Sequence, residues 1–148
     1  MDIGFGDAQS FVCDVVENKN YVFIGIEPYK KGFARAVQFY EENVPKKMFL
    51  FNGDAREFFE ETKYKIDFIR IHFPDPWPKK RHAKRRLITK DFLLTSYDLL
   101  KKGGSIEIIT DFSIYQRHLE ELISDQTISK KLKTFLLHVR FQHFIKKL

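Results

Sequence analysis

Tyr21-Val22-Phe23-Ile24-Gly25-Ile26, followed by Glu27, the segment Tyr29–Asn43, and Met48-Phe49-Leu50-Phe51, is the stretch that decides the fold. The first run is short and apolar and closes at an acid, which is how a strand buried on both faces reads. In Tyr29–Asn43 the apolar positions Phe33, Ala36, Val37 and Tyr40 recur at three and four, the period of a helix with one apolar stripe. The second apolar run is another strand, closed by Asn52-Gly53. Strand, helix and strand in succession make a βαβ unit, and a crossover of that length joins parallel neighbours.

The same alternation continues downstream. Ile66-Asp67-Phe68-Ile69-Arg70-Ile71 and Ser105-Ile106-Glu107-Ile108-Ile109 read as strands, the latter after a turn at Gly103-Gly104. Between and after them, Lys90–Leu100 (Phe92, Leu93, Tyr97, Leu100, with Thr89 as N-cap) and Ser113–Ser124 (Ile114, Leu119, Leu122, Ile123) have helical spacing. Near the end, Phe135, Leu137, Val139 and Phe141 alternate with Leu136, His138, Arg140 and Gln142, which predicts an antiparallel edge strand. The expected fold is therefore α/β, a doubly wound, mostly parallel sheet, in a single domain over 1–148. Its first strand is short. Only Met1, Asp2 and Ile3 precede Gly4, where a strand usually has about five residues, so either the start lies upstream or the innermost strand is cut back.

Composition agrees with one globular domain: 148 residues, 43% hydrophobic and 31% charged. The formal net charge is +6, but it is unevenly spread. Residues 1–78 carry 10 basic and 13 acidic side chains, whereas 79–86 hold six cations and no anion. Residues 126–148 hold six more cations (Lys130, Lys131, Lys133, Arg140, Lys146, Lys147), again without an anion. Two basic clusters on an otherwise acidic body suit phosphate neutralisation, although solvated surface gives the same pattern. The lone Cys13 excludes an internal disulfide and is expected as a buried or partly buried thiol on the first helix. His72, His82, His118, His138 and His143 show no ligand spacing, so no metal is expected. No apolar run reaches membrane-spanning length and no signal peptide is recognisable, which points to a cytoplasmic protein.

Asp2-Ile3-Gly4-Phe5-Gly6-Asp7-Ala8 lies where a strand should turn into a helix, and glycines there let a ligand approach the backbone. The dinucleotide fingerprint fails at its third glycine, which would be Gln9, and a nicotinamide enzyme is correspondingly disfavoured. Glu27, 23 positions after Gly4, stands where an acid can accept both hydroxyls of a ribose, and Asp54 follows the third strand, within reach of an adenine amino group. Glu27 as a solvent-facing strand end and Asp54 as a helix N-cap are the competing structural explanations. Both acids at successive strand ends, beyond a glycine loop, favour a nucleoside pocket. Further on, His72-Phe73-Pro74-Asp75-Pro76-Trp77-Pro78 is a stiff loop holding a carboxylate and an indole, running directly into the basic block.

The string Phe73-Pro-Asp-Pro-Trp-Pro-Lys-Lys-Arg-His-Ala-Lys-Arg-Arg86 closely resembles the signature of the tRNA (guanine-N7)-methyltransferase family. Asp2–Gly6 resembles that family's S-adenosylmethionine loop, Gly25-Ile26-Glu27 its ribose-binding strand end, and Thr110-Asp111-Phe112 a later substrate motif. The resemblance covers residue 2 to about residue 125. It implies a class I methyltransferase fold and methyl transfer from S-adenosylmethionine to N7 of a guanine in the variable region of tRNA. Position by position, it implies that Asp2, Glu27, Asp54 and the backbone of Gly4 and Gly6 hold the cofactor. Asp75 would be the central carboxylate, Lys79 and Asp111 would contact the substrate nucleotide, and Arg81, His82, Lys84, Arg85 and Arg86 would meet the RNA. Trp77 either stacks on a base or wedges the loop into the domain. A monomer or homodimer is expected in preference to an obligate accessory subunit.

Four departures accompany the resemblance. Ala8 stands where the family has a third glycine, the leading strand is short, and an N-terminal extension that helps to hold RNA has no counterpart. The family's Thr-x-x-Glu substrate motif is also absent, since Thr127 is followed three residues on by Lys130 and Thr134 by Leu137. The alternative these departures motivate is a catalytically impaired RNA-binding remnant of the same family.

Overall fold

A computed structural model describes residues 1–132 and 136–142 and divides into two compact units, Met1–Thr62 and Lys63–Leu148. Phe135, Thr134, Lys133, His143, Lys146 and Lys147, which figured in the sequence reading, lie outside the described residues.

The first unit runs β1 (Asp2–Ile3), α1 (Gln9–Glu17), β2 (Phe23–Ile26), α2 (Lys30–Asn43), β3 (Met48–Phe51) and α3 (Ala55–Glu61). Strand β2 pairs in parallel with both neighbours, Asp2 opposite Gly25 on one side and Phe23 opposite Met48 on the other. Strand β1 has two residues, and the Gly4 N–H donating to the Ile26 carbonyl at 2.8 Å extends its ladder by one bond. Phe5, Ala8, Phe11, Val15, Ala36 and Met48 form the core, with the Phe5 and Phe11 rings stacked at 5.0 Å. Those rings explain Gly25: a Cβ there would stand 2.7 Å from the Phe11 ring. On α2 the inward positions are Gly32 and Ala36, with Phe33 and Phe39 packed beside them, while Tyr40, expected inside, is exposed. Cys13 is likewise exposed, because α1 turns Phe11 and Val15 inward.

The second unit runs β4 (Ile66–His72), a 3₁₀ helix (Lys80–Arg85), α4 (Lys90–Leu99), β5 (Leu100–Thr110), α5 (Ser113–Ser124), α6 (Gln126–Leu132) and β6 (Leu136–Phe141). Alternate isoleucines (Ile69, Ile71, Ile106, Ile108) are fully buried on one face of β4 and β5. Thr89 caps α4 as expected, its hydroxyl accepting from the Phe92 N–H at 3.2 Å. Strand β5 begins earlier than the sequence suggests. Ile66 faces Leu100 and Phe68 faces Ser105, so the glycine pair forms an irregularity inside the strand, with Gly103 at φ 81°. On α5 the buried residues are Tyr115 and Leu119, and Ile114 is exposed.

The expected antiparallel edge is corrected: β6 runs parallel to β5, from Ser105 opposite Leu136 to Thr110 opposite Phe141. Alternation identifies a strand but carries no direction. The direction follows from the connection, because α5 and α6 supply the long crossover that a parallel neighbour needs. With that strand reversed, every recorded strand pairing among the described residues is parallel, and the fold is α/β and Rossmann-like. Among the described residues no helix is long and apolar enough to cross a membrane.

Candidate functional site

In the first unit the loop after β1 places three residues in left-handed backbone: Gly4 (φ 74°), Gly6 (φ 63°) and Ala8 (φ 68°). A Cβ built at Gly4 or Gly6 meets nothing within 4 Å, so the loop leaves open space beside its backbone, as a ligand cradle must. Ala8 adopts the conformation glycine favours, at a cost of about 1–2 kcal/mol, while its methyl is buried in the core. The loop is held from below by Gly32 of α2, where a Cβ would lie 1.8 Å from the Gly6 carbonyl oxygen.

Glu27 fastens the same loop. Its carboxylate accepts from the Gly6 N–H (Oε2, 2.7 Å) and from the Tyr29 N–H (Oε1, 2.7 Å), and the residue is only 5% exposed. It is thus neither the solvent-facing strand end nor an unengaged ribose acceptor. Each carboxylate oxygen nevertheless has a second lone pair, so one residue can brace the loop and still receive a hydroxyl. Asn52, which the sequence reading passed over, donates from Nδ2 to the Glu27 carbonyl at 2.7 Å and ties the ends of β2 and β3 together. Asp2 is buried on β1. Asp54 does cap α3, accepting from the Arg56 N–H at 2.8 Å and pairing with its guanidinium at 3.2 Å.

In the second unit β4 delivers the chain into the proline loop. Phe73 (φ 51°) and Trp77 (φ 39°) both sit in left-handed backbone immediately before a proline. For bulky residues this costs about 1–3 kcal/mol each and persists only where the surroundings enforce it. At Trp77, Arg86 supplies the enforcement. It is 8% exposed, and it donates from Nε to the Pro76 carbonyl at 3.1 Å and from Nη2 to the Trp77 carbonyl at 3.4 Å. Its guanidinium also lies 5.8 Å from the Tyr115 ring centre. Hydrogen bonds from a charged donor contribute about 1.5–3 kcal/mol, the same order as the strain.

A 3₁₀ helix has three residues per turn, which sorts the basic block by face. His82 and Arg85, three apart, both meet Trp77: the imidazole edge-on at 5.7 Å and the guanidinium at 5.0 Å from the ring centre. Trp77 therefore wedges this segment together. Arg81 and Lys84, also three apart, are exposed, as are Lys79 and Arg85. Asp75 is exposed at the middle of the loop. Asp111 is exposed at the end of β5, where it helps to line a cavity of about 250 Å³.

Residues 1–136 match a family described as "Putative methyltransferase". Among curated proteins, the chain is 34% identical over 111 residues to a tRNA (guanine-N(7)-)-methyltransferase of Mesomycoplasma hyopneumoniae (strain 7448), covering 75% of this chain and 55% of that protein. It is 34% identical over 124 residues to the protein of the same name from Caulobacter vibrioides (strain NA1000 / CB15N), covering 83% and 55%. With that of Buchnera aphidicola subsp. Schizaphis graminum (strain Sg) it shares 32% over 146 residues, covering 97% and 60%. The chain spans about half the length of the curated relatives it matches.

Proposed function

Because the chain belongs to this methyltransferase family, we propose that it transfers a methyl group from S-adenosylmethionine to N7 of a guanine in tRNA. It would act in the cytoplasm as one domain over 1–148. The observation that carries the reading is the segment Phe73–Arg86: a braced, strained loop with an exposed carboxylate at Asp75, followed by a helical turn with Arg81 and Lys84 facing outward. The names of the relatives, tRNA (guanine-N(7)-)-methyltransferases, support the same substrate.

When bound, S-adenosylmethionine supplies an electrophilic methyl on a sulfonium. The open space beside Gly4 and Gly6 and the acids Asp2, Glu27 and Asp54 suit a polar, hydroxyl-bearing ligand of that kind. Guanine N7 carries an in-plane lone pair at neutral pH, so the acceptor needs no general base. The chain's contribution is alignment, worth up to about 7–11 kcal/mol in the intramolecular limit. The purine becomes cationic as the new bond forms. In this reading Asp75 is the catalytic residue, a fixed anion that stabilises that charge and receives no proton. Lys79 and Asp111 hold the nucleotide, and Arg81, Lys84 and Arg85 meet the RNA backbone. His82 serves through Trp77. Arg86 also serves from within, its guanidinium committed to the loop carbonyls.

Incubation with methyl-labelled S-adenosylmethionine and unmodified tRNA tests the reading. Label is expected in the RNA with the wild-type chain and absent with Asp75→Ala at unchanged melting temperature. Salt-sensitive tRNA binding without any label would instead favour the impaired RNA-binding remnant.

A further inference from the structure

The first unit carries a groove at the end opposite the glycine loop. It opens where the C-terminal turns of α1 and α2 meet the N-terminal end of β2, and its volume is about 410 Å³. That volume lies within the range of binding sites, about 300–1,000 Å³. Val15, Phe23 and Phe39 give it an apolar lining, and Lys19, Lys46 and Lys47 stand around it as exposed cations. Among the described residues, no acid lines it. Three of the 10 basic side chains within residues 1–78 thus gather at one place on a stretch that is net acidic. Backbone hydrogen bonds fix the walls. The Tyr21 N–H donates to the Asn18 carbonyl at 3.1 Å, the Val44 N–H to that of Tyr40 at 2.7 Å, and the Phe23 N–H to that of Lys47 at 2.7 Å. Glu27 follows the far end of β2, about 13 Å along the strand direction from Phe23. The groove is therefore separate from the loop that Glu27 fastens.

We infer that this groove docks an acidic peptide segment of a partner protein, with one bulky apolar side chain as its anchor. This docking is independent of the reaction proposed above. Val16, Tyr21, Val22 and Val44 are each more than half exposed, and each lines the groove or adjoins a lining residue in the chain. Clustered exposed apolar side chains mark interaction surfaces, whereas scattered ones need no explanation. Val44 is the most telling. It caps α2 in left-handed backbone (φ 43°), a conformation that strains a β-branched residue and that glycine or asparagine adopts more easily. Its side chain is 67% exposed, so burial within the chain does not offset that strain. Contact with a partner's apolar side chain would. Interfaces of this kind concentrate their energy in a buried anchor, while surrounding charges steer the approach and reject wrong partners. The three lysines select an acidic segment. They also disfavour a second copy of this chain, because a two-fold contact would set the same lysines against one another. The valines offer no stacking face, so the surface suits an apolar side chain better than a nucleobase.

Fluorescence anisotropy of dye-labelled synthetic peptides, titrated with the whole chain, tests the docking. The probe is a peptide of aspartates and glutamates around a central phenylalanine-leucine pair. One control replaces that pair by glycines, and another replaces the acids by lysines. The probe should bind at least tenfold more tightly than either control or a labelled oligouridylate, and less tightly as salt rises. NMR shift changes on adding the probe should be confined to residues 15–23 and 39–47. Lys46→Glu combined with Lys47→Glu should weaken binding at least tenfold. Val44→Gly should weaken it at least threefold without lowering the melting temperature, since glycine accepts this backbone. Equal affinity for the glycine control would reduce the effect to charge attraction and overturn the inference. So would oligouridylate bound at the same residues as tightly as the probe, which would make the groove an RNA surface. Self-association of the wild type, abolished by Val44→Gly without any peptide, would assign it to a second copy instead. Variants that bind the probe as the wild type does would overturn it as well.

Discussion

Arg86 lies in a run of cations, yet its guanidinium turns inward to the carbonyls of Pro76 and Trp77, and the charge count of the segment does not reveal this. Arg86→Met keeps much of the volume and removes both donors. Each of these part-buried carbonyls left unsatisfied costs up to about 1–3 kcal/mol. The variant should therefore lose about 2–4 kcal/mol of stability by denaturant unfolding, with no change in the salt dependence of tRNA binding per folded molecule. A phosphate-binding arginine would show the reverse, little stability loss and a shallower salt slope. Glu27 teaches a similar lesson. Its position after the second strand is plain in the sequence, but its bonds to the Gly6 and Tyr29 amides are not, because spacing locates a carboxylate without saying which neighbours it faces.

At the scale of elements, periodicity was enough to find most of the architecture. Apolar runs gave β2, β3 and β4, and the three-and-four spacing gave α2, α4 and α5, because burial on one face imposes a repeat that composition must obey. Direction and short elements left weaker marks. Strand β6 was recognisable and its polarity was not, while α6 escaped notice because seven residues hold too few turns to display a period. The proline loop hid the 3₁₀ turn behind it, whose spacing of three sorts Arg81 and Lys84 from His82 and Arg85. Gly32 marks a close approach that no local rule announces. Gly32→Ala would drive a methyl into the Gly6 carbonyl, and overpacking of this kind costs about 1–3 kcal/mol. Thermal unfolding should show that loss, and calorimetry should show weakened S-adenosylmethionine binding beyond what the unfolded fraction explains. Asp125 gives a pH-dependent counterpart. It accepts from Lys90 Nζ at 2.8 Å and from the Thr127 N–H at 2.8 Å, which together lower its carboxyl to about 2 from an ordinary 3.8. A depressed carboxyl contributes stability that is complete above its unfolded value and lost as pH falls through its folded one. The difference in urea midpoint between wild type and Asp125→Asn should thus be constant above about pH 5 and shrink as the pH falls from there through about 2.

For the molecule as a whole, the telling quantity is the distribution of charge. Residues 1–78 are net acidic and 79–86 hold six cations, so RNA should bind through the second unit and weaken with salt. Arg81→Gln and Lys84→Gln together should lower the slope of log affinity against log salt by about 1–2, read by filter binding at several ionic strengths, while leaving S-adenosylmethionine affinity intact. The candidate residues of Phe73–Arg86 stand out in the sequence because one long, specific string holds them, whereas that Arg86 braces the loop and that His82 and Arg85 meet Trp77 required coordinates. The most direct test of the central claim is nucleoside mass spectrometry of unmodified tRNA after incubation with the chain and S-adenosylmethionine. The account predicts 7-methylguanosine as the new nucleoside, absent with Asp75→Ala. A folded, cofactor-saturated chain that yields no methylated nucleoside, or a methyl group at any position other than guanine N7, would contradict it.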